Sequence, residues 1–103
     1  QDAYINIAGG MKISEPAVDL GLVLSIISSF RNRPIAEDVI CFGEVGLSGE
    51  VRSVNMVEQR IAEARKLGFK QCILPKVCMK NIQQVDGIQL KGVENVREAL
   101  EIL

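Results

Sequence analysis

Histidine and tryptophan are both absent from this sequence of 103 residues, and its aromatic residues are three phenylalanines and one tyrosine. Without histidine, the chain cannot by itself build a Ser/His/Asp or Cys/His nucleophile system, because each needs an imidazole base. Cysteine is also scarce: Cys41, Cys72 and Cys78 show no CxxC spacing, and two of them lie in apolar runs. We therefore predict no metal site in this chain and expect buried, reduced cysteines.

The sequence also lacks a strong charge of either sign, since its formal net charge at pH 7 is −1. No overall basic field marks it for nucleic acid or an anionic membrane, so a polyanion site would have to be a local patch. Its longest apolar stretch, residues 20–30, is interrupted by serines. That stretch is shorter than the ~20 residues that a transmembrane helix needs. With no secretion signal in the sequence, we expect a cytoplasmic protein without a membrane partner.

What the sequence does contain is an alternation of short apolar strands with amphipathic helices. The first part predicts a strand over residues 4–8, a glycine turn at Gly9–Gly10 and an extended piece over residues 11–13. A turn at Ser14–Glu15–Pro16 then leads into a helix, because Ser14 or Glu15 can cap it and proline fits a first helical position. The predicted buried face of this helix has three- and four-residue spacing: Ala17, Leu20, Gly21, Leu24, Ile27 and Phe30.

The rest of the sequence continues this alternation. After a basic stop at residues 31–34, the apolar run at residues 39–42 predicts a central strand. Residues 43–51 predict a hairpin or bulged ribbon that turns at Ser48–Gly49. A helix from Met56 is expected to end at Gly68. Further predicted elements are the buried helix face Val57, Ile61, Ala64 and Leu67, strands at 72–74 and 88–90, a loop at 81–87 and a helix at 94–103. The pattern indicates an α/β (α+β) fold, a small mixed sheet with packed helices.

Two sets of charged residues are candidates for function. Asp19 and Glu44 could meet as a carboxylate pair for acid–base chemistry, and solvated acids are the alternative that sequence spacing leaves open. The second set consists of basic residues that could contact DNA phosphates: Arg60, Arg65, Lys66 and Lys70, with Arg31 and Arg33 behind them. Glu58 and Glu63 interleave with this second set, so an ordinary solvated helix face is the alternative.

Two segments carry a resemblance to a known family. Residues 14–30, together with FGEVGLSGEVRSVNMVEQRIAEARKLGFKQCILPK at residues 42–76, resemble the proteolytic domain of the Lon family. In that family a GPSAG-type turn presents a serine at a helix start, and a GE[IV]xLxGxV ribbon leads to a lysine on the next helix. The likeness is greatest to one branch, the carboxy-terminal Lon-like domain of the RadA/Sms family of bacterial DNA repair proteins. It implies a single Lon-like domain over residues 1–103, with the mixed sheet of the ribosomal protein S5 domain 2 type.

The resemblance further implies that the catalytic Ser/Lys dyad is lost. Pro16 matches the motif proline, so Ala17 occupies the position of the nucleophilic serine and Asp19 that of the following glycine. Counted from the ribbon, Glu58 occupies the position of the catalytic lysine. A dyad needs a hydroxyl attacker and an amine that takes its proton. We therefore expect no enzymatic activity of this chain, with a peptidase that uses displaced residues as the alternative.

For function, the resemblance implies a non-catalytic part of a DNA-dependent ATPase that promotes branch migration in recombinational DNA repair. The domain would serve as a ring-building scaffold, as in a hexamer, and as a DNA-contacting surface. Its implied partners are further copies of itself, branched or duplex DNA, and a RecA-type recombinase. No cofactor is expected in this chain, whereas ATP with Mg²⁺ and zinc belong to other parts of such a protein. An oligomerisation module without DNA contact is the rival function.

Domains of this branch normally have a ribbon and a helix before the strand that corresponds to residues 4–8. We therefore expect an N-terminally truncated domain. Its apolar surface would be exposed unless a partner covers it.

Overall fold

The computed structural model describes residues 16–32, 35–82 and 85–103. The strand predicted over residues 4–8, the turns at Gly9–Gly10 and Ser14–Glu15, and Arg33 lie outside the described residues. The α-helices are α1 (Asp19–Arg31), α2 (Val57–Lys66) and α3 (Val96–Ile102). The strands are β1 (Val39–Cys41), β2 (Glu44–Val45), β3 (Val51–Arg52), β4 (Gln71–Pro75) and β5 (Gln89–Val93). Short 3₁₀ helices span Pro16–Val18 and Lys76–Asn81.

Three of the strands form a parallel sheet in the order β1-β4-β5. The central strand is β4, and β1, which the sequence predicted to be central, lies at the end of this order among the described residues. The residues of β1 are nevertheless only 6%, 2% and 1% exposed, because side chains cover both of its faces. Burial on both faces fits the continuous apolar run from which a central strand was predicted. The central position stays a prediction, because the strand predicted over residues 4–8 lies outside the described residues.

Each face of the sheet carries its own hydrophobic core, because successive residues of a strand point to opposite sides. On one face, Ile73 of β4 lies in a cluster with Leu20 of α1 and Ala99 of α3. On the other face, Cys72 of the same strand lies in a cluster with Ile61 of α2. The fold is therefore mixed α/β in three layers, with α1 and α3 on one face of the sheet and α2 on the other.

Helix α1 buries less of its predicted apolar face than the spacing suggested. Leu20, Gly21 and Leu24 are buried as expected, whereas Ile27 is only partly buried and Phe30 is 88% exposed. The buried residues all lie in the first half of the helix, so its last turns extend past the core. The helix ends at Asn32, whose left-handed conformation lets its N–H donate to the last carbonyls. None of the helices in the described ranges has the length and apolar character needed to cross a bilayer.

Helix α2 follows the predicted pattern closely. Ile61 and Ala64 are buried, and Gly68 has the positive φ, 99°, that was expected of a left-handed cap. Leu67 was predicted on the buried face but is 52% exposed, because it lies just beyond the helix end. The 3₁₀ helix that begins at Lys76 was not predicted, since its mixed polar and apolar residues show no helical period.

Candidate functional site

The ribbon over residues 44–52 is the centre of the candidate site. Its strands β2 and β3 pair antiparallel, with Glu44 opposite Arg52, which confirms the predicted hairpin. The turn is closed by hydrogen bonds from Gly46 N to the Glu50 carbonyl, 2.9 Å, and from Gly49 N to the Gly46 carbonyl, 3.0 Å. Gly49 has φ 84°, a left-handed conformation that suits a glycine in a hairpin of this length. The turn is therefore fixed by its own backbone.

The base of the ribbon is bonded to the start of α1. Gly43 N donates to the Ala17 carbonyl at 2.8 Å, and Leu20 N donates to the Gly43 carbonyl at 2.9 Å. Val45 N donates to the Asp19 Oδ2 atom at 3.3 Å. A Cβ atom on Gly43 would lie 2.7 Å from Val51 Cγ1, so only glycine allows this close approach. The helix start and the ribbon thus form one hydrogen-bonded unit.

The tip and second strand of the ribbon are bonded to the start of α3. Val51 N donates to the Glu94 carbonyl and Val96 N donates to the Gly49 carbonyl, both at 2.9 Å. Asn95 caps the helix, since its Oδ1 accepts from Glu98 N at 2.9 Å. The Glu98 carboxylate in turn accepts from Glu94 N at 2.7 Å. The Asn-x-x-Glu spacing is a helix-start signal that could have located this cap from the sequence.

The two positions that the Lon resemblance assigns to a dyad, Ala17 and Glu58, have different environments. Ala17 is 4% exposed, and its carbonyl is held by the ribbon. Glu58 lies in the first turn of α2 and is exposed. Asp19 accepts a hydrogen bond from the backbone of Val45, the residue that follows Glu44. Asp19 thus joins the helix to the ribbon through this hydrogen bond. Its pairing with Glu44 for acid–base chemistry stays a prediction.

Among the basic residues, Arg60 is held by its own surroundings. Its Nε donates to the Asn55 carbonyl and its Nη2 to Asn55 Oδ1, each at 2.7 Å. Its guanidinium carbon also lies 6.0 Å from the centre of the Phe42 ring, within range of a cation–π interaction. These contacts fasten the loop before α2 to the end of β1. Sequence reasoning missed them, because nothing in the sequence pairs Arg60 with Asn55.

The remaining basic candidates are divided between the two faces of the sheet. Arg65, Lys66 and Lys70 are exposed at the end of α2 and just after it, near the amino ends of the strands. Arg65 Nη1 donates to the Asp86 carbonyl at 3.1 Å. Arg31 ends α1, which packs on the opposite face. Arg65, Lys66 and Lys70 thus lie within six residues of one another in the chain, whereas Arg31 lies on a helix across the sheet from α2.

The three cysteines are free in the structure. Cys41 and Cys72 are buried, and Cys78 is half-buried. Burial raises the pKa of the Cys41 thiol from 9.0 to about 12. Burial, with a smaller contribution from Cys41, also raises the pKa of Cys72. The described ranges contain no cluster of three or more Cys, Asp or Glu side chains placed to hold a metal ion.

The geometry defines a mixed α/β domain that holds a short ribbon between two helix starts. The chain belongs to the family described as subunit ChlI of Mg-chelatase, whose model matches residues 1–78.

Comparison with curated proteins gives a consistent second result. The chain is 54% identical over 101 residues to DNA repair protein RadA of Bacillus subtilis, a match that covers 97% of this chain. It is 47% identical over 103 residues to the protein of that name from Haemophilus influenzae. It is 40% identical over 103 residues to the one from Aquifex aeolicus. In each case the chain spans 22% of the relative's length. The resemblance to RadA proteins is therefore confirmed.

Proposed function

We propose that this chain is the non-catalytic, Lon-like carboxy-terminal domain of a RadA-type DNA repair protein, where it acts as a scaffold and a DNA-contacting surface. The observation that carries the proposal is the identity of 40 to 54% to RadA proteins over nearly the whole chain. The matching family is described by a Mg-chelatase subunit. The matches to RadA relatives cover 97 to 100% of the chain, so the proposed function is based on these relatives. The Lon-like fold, with the sheet of the ribosomal protein S5 domain 2 type, belongs to this proposal.

Two observations support the absence of peptidase chemistry. Ala17, where the nucleophile would stand, has a methyl side chain and is 4% exposed, so no hydroxyl is available there for attack. Glu58, where the lysine would stand, is an exposed carboxylate at a helix start, which is a favourable place for a negative charge. A carboxylate there cannot replace the amine of a Ser/Lys dyad.

The proposed DNA-contacting surface is the group Arg65, Lys66 and Lys70. All three residues are exposed, Arg65 and Lys66 at the end of α2 and Lys70 directly before β4. Cations that neutralise phosphates release counterions, so binding should weaken as salt rises. Arg60 and Arg65 contribute less in this proposal than the two lysines, because their guanidinium groups already donate to Asn55 and to the Asp86 carbonyl, respectively.

The other parts of the proposal concern the longer protein. They are a DNA-dependent ATPase with branch-migration activity, sites for ATP with Mg²⁺ and for zinc outside this chain, ring assembly, a RecA-type partner and a cytoplasmic location. Each is proposed from the likeness to RadA proteins. The experiment below tests DNA contact and the absence of cleavage by this chain.

The test measures the affinity of the 103-residue chain for duplex and branched DNA over a range of salt concentrations. We expect Lys66→Ala/Lys70→Ala to reduce the slope of log affinity against log salt by about 2, one for each lost phosphate contact. The matched control is Lys76→Ala/Lys80→Ala, which removes two exposed lysines from the 3₁₀ helix.

Equal slopes for the two double variants would contradict the DNA surface and favour an oligomerisation module without DNA contact. The same preparation, incubated with an unfolded protein substrate, should show no cleavage. Sustained cleavage that a named substitution abolishes would overturn the non-catalytic assignment.

A further inference from the structure

We propose that the outer edge of β5 binds an extended, acidic peptide segment of a partner protein, which adds to the sheet as a further strand. The contact uses neither Lys66 nor Lys70, so it stands or falls independently of the DNA surface proposed above.

The strand β5 is bonded along one of its two edges. It follows β4 at the end of the sheet order within the described ranges. Gln89 N donates to the Lys70 carbonyl at 2.8 Å, so Gln89 and every second residue after it direct their backbone groups to β4. The N–H and C=O groups of Leu90 and Gly92 therefore point away from the sheet. In the part of the chain that the structure describes, no residue donates to these groups or accepts from them.

The same edge is already paired where the chain leaves β5. Glu94, the next residue that points outward, accepts from Val51 N at 2.9 Å, and its own N–H donates to Glu98 Oε1 at 2.7 Å. Among the described residues, the outward groups of Glu94 are thus satisfied, and those of Leu90 and Gly92 are open. An open row of backbone donors and acceptors is a template for strand addition, in which main-chain hydrogen bonds supply the affinity.

The 3₁₀ helix Lys76–Asn81 packs on one face of β5. A Cβ atom on Gly92 would lie 3.0 Å from Lys76 Cα and 2.8 Å from Met79 Cγ, so the helix lies directly against the strand backbone. Leu90 packs, partly buried, against the same core as Met79. The edge is therefore ordered before a partner binds, and this reduces the conformational entropy that binding costs.

Lysines lie on both faces of this edge. Lys76 and Lys80 are exposed on the 3₁₀ helix, which covers one face. Lys91 is half-buried and shares the opposite face with Val93, because successive strand residues alternate between faces. Acidic side chains of an added strand alternate between the same two faces and would meet these lysines. Glu94 is exposed at the far end of the edge, so the acidic residues of the partner belong beside the lysines.

A second copy of this chain does not suit the edge. Two β5 edges paired about a two-fold axis would bring the lysines of both copies together, and like charges on facing strands are destabilising. An acidic peptide instead supplies backbone partners and opposite charge at once. The geometry thus points to a linear segment of another protein.

The test is a nuclear magnetic resonance titration of the ¹⁵N-labelled 103-residue chain with a capped peptide of about seven alternating threonine and glutamate residues, a usual strand length. We expect the amide hydrogens of Leu90 and Gly92 to exchange rapidly in the free chain and slowly at saturating peptide. The amide of Lys91, which faces β4, should be protected in both states. This alternation identifies strand addition, because a purely electrostatic contact does not distinguish neighbouring amides. The same peptide, N-methylated at every second residue, is expected not to bind.

Charge reversal tests the acidic character of the partner. Lys76→Glu/Lys80→Glu should weaken peptide binding by about tenfold or more, because it turns attraction into repulsion. The matched control is Lys66→Glu/Lys70→Glu, which should leave peptide affinity unchanged. All four lysines are exposed, so both variants are expected to fold, and circular dichroism verifies this.

Four results would overturn the proposal. They are no saturable binding of the peptide, protection that does not alternate, equal weakening by the two double variants, and binding by Lys91→Thr but not by the wild-type chain. The last would show that Lys91 only guards the edge against pairing. Duplex DNA, added in place of the peptide, should leave the exchange of Leu90 and Gly92 unchanged. Protection by DNA would overturn the proposal in favour of a nucleic-acid contact.

Discussion

At the scale of single residues, Arg60 is a cation whose guanidinium contacts stabilise the local structure. Its guanidinium binds both oxygens of Asn55 at 2.7 Å and lies over the ring of Phe42, which is 3% exposed. A planar fork of donors suits this geometry, and a lysine cannot reproduce it. Arg60 therefore fixes where α2 begins, next to Met56 in its left-handed conformation.

Replacing this residue should lower stability. We expect Arg60→Ala to reduce the free energy of unfolding by about 1 to 2 kcal/mol, through the lost hydrogen bonds and the lost cation–π contact. Arg60→Lys should recover only part of this loss. Urea unfolding provides the measurement, with Lys66→Ala as an exposed control on the same helix. If Arg60→Ala were as stable as the control variant, the contacts with Asn55 would not contribute to the free energy of unfolding.

At the scale of elements, α3 depends on its cap and on the ribbon. It has seven residues, and a helix of that length is marginal in water unless other contacts support it. Asn95 caps its first turn, and Val96 N donates to the ribbon at Gly49. Through these bonds the helix start serves as the support for the ribbon.

Removal of the cap should therefore affect both elements. We expect Asn95→Ala to cost about 1 kcal/mol in the free energy of unfolding, and Asn95→Asp to retain most of the stability. Hydrogen exchange at Val51, whose N–H donates to Glu94, should become faster in Asn95→Ala. Glu101→Ala, at an exposed position of the same helix, is the control and should leave exchange unchanged. Slow exchange at Val51 in Asn95→Ala would show that the ribbon does not need the cap.

The elements were largely predictable from the sequence, and their partners were not. The period of α2 and the glycines of the ribbon gave correct predictions because they depend on neighbours within a few residues. The exposure of Phe30 and the parallel pairing of β1 with β4 depend on which elements contact each other, and a single sequence does not show that. For the candidate site, the resemblance to a family motif singled out Ala17, and its place at the nucleophile position stays a prediction. The bond between Asp19 and Val45 joins residues 26 positions apart and had no sequence signal.

At the scale of the whole molecule, the two buried cysteines place thiols in both cores. Cys41 lies in the core with α1 and α3, and Cys72 in the core with α2. Because burial disfavours the charged form, the pKa of the Cys41 thiol is raised to about 12 in the folded chain. In the unfolded chain its pKa is near the ordinary value of 9.0.

Folding stability should therefore decrease in alkali. The thiol contributes its full stability below pH 9, and this contribution is lost as the pH rises from 9 towards 12, since the unfolded chain then releases protons that the folded chain retains. We expect Cys41→Ala to show a shallower decrease of the free energy of unfolding over that window. Parallel pH profiles for wild type and variant would contradict the assignment. In the native chain, a thiol reagent should modify the half-buried Cys78 before the other two.

The ribbon's two attachments also determine the order in which this chain can be completed during synthesis. Val51 N donates to the carbonyl of Glu94, a residue 43 positions later (94 − 51) that leaves the ribosome only after α1, α2 and the five described strands. Until then the ribbon has its hairpin bonds and its attachment to α1, and its second strand lacks a partner on the other side. The ribbon can thus gain its bonds to residues 94–96 only near the end of synthesis, and a nascent chain that stalls before Asn95 would present an incompletely bonded ribbon to chaperones.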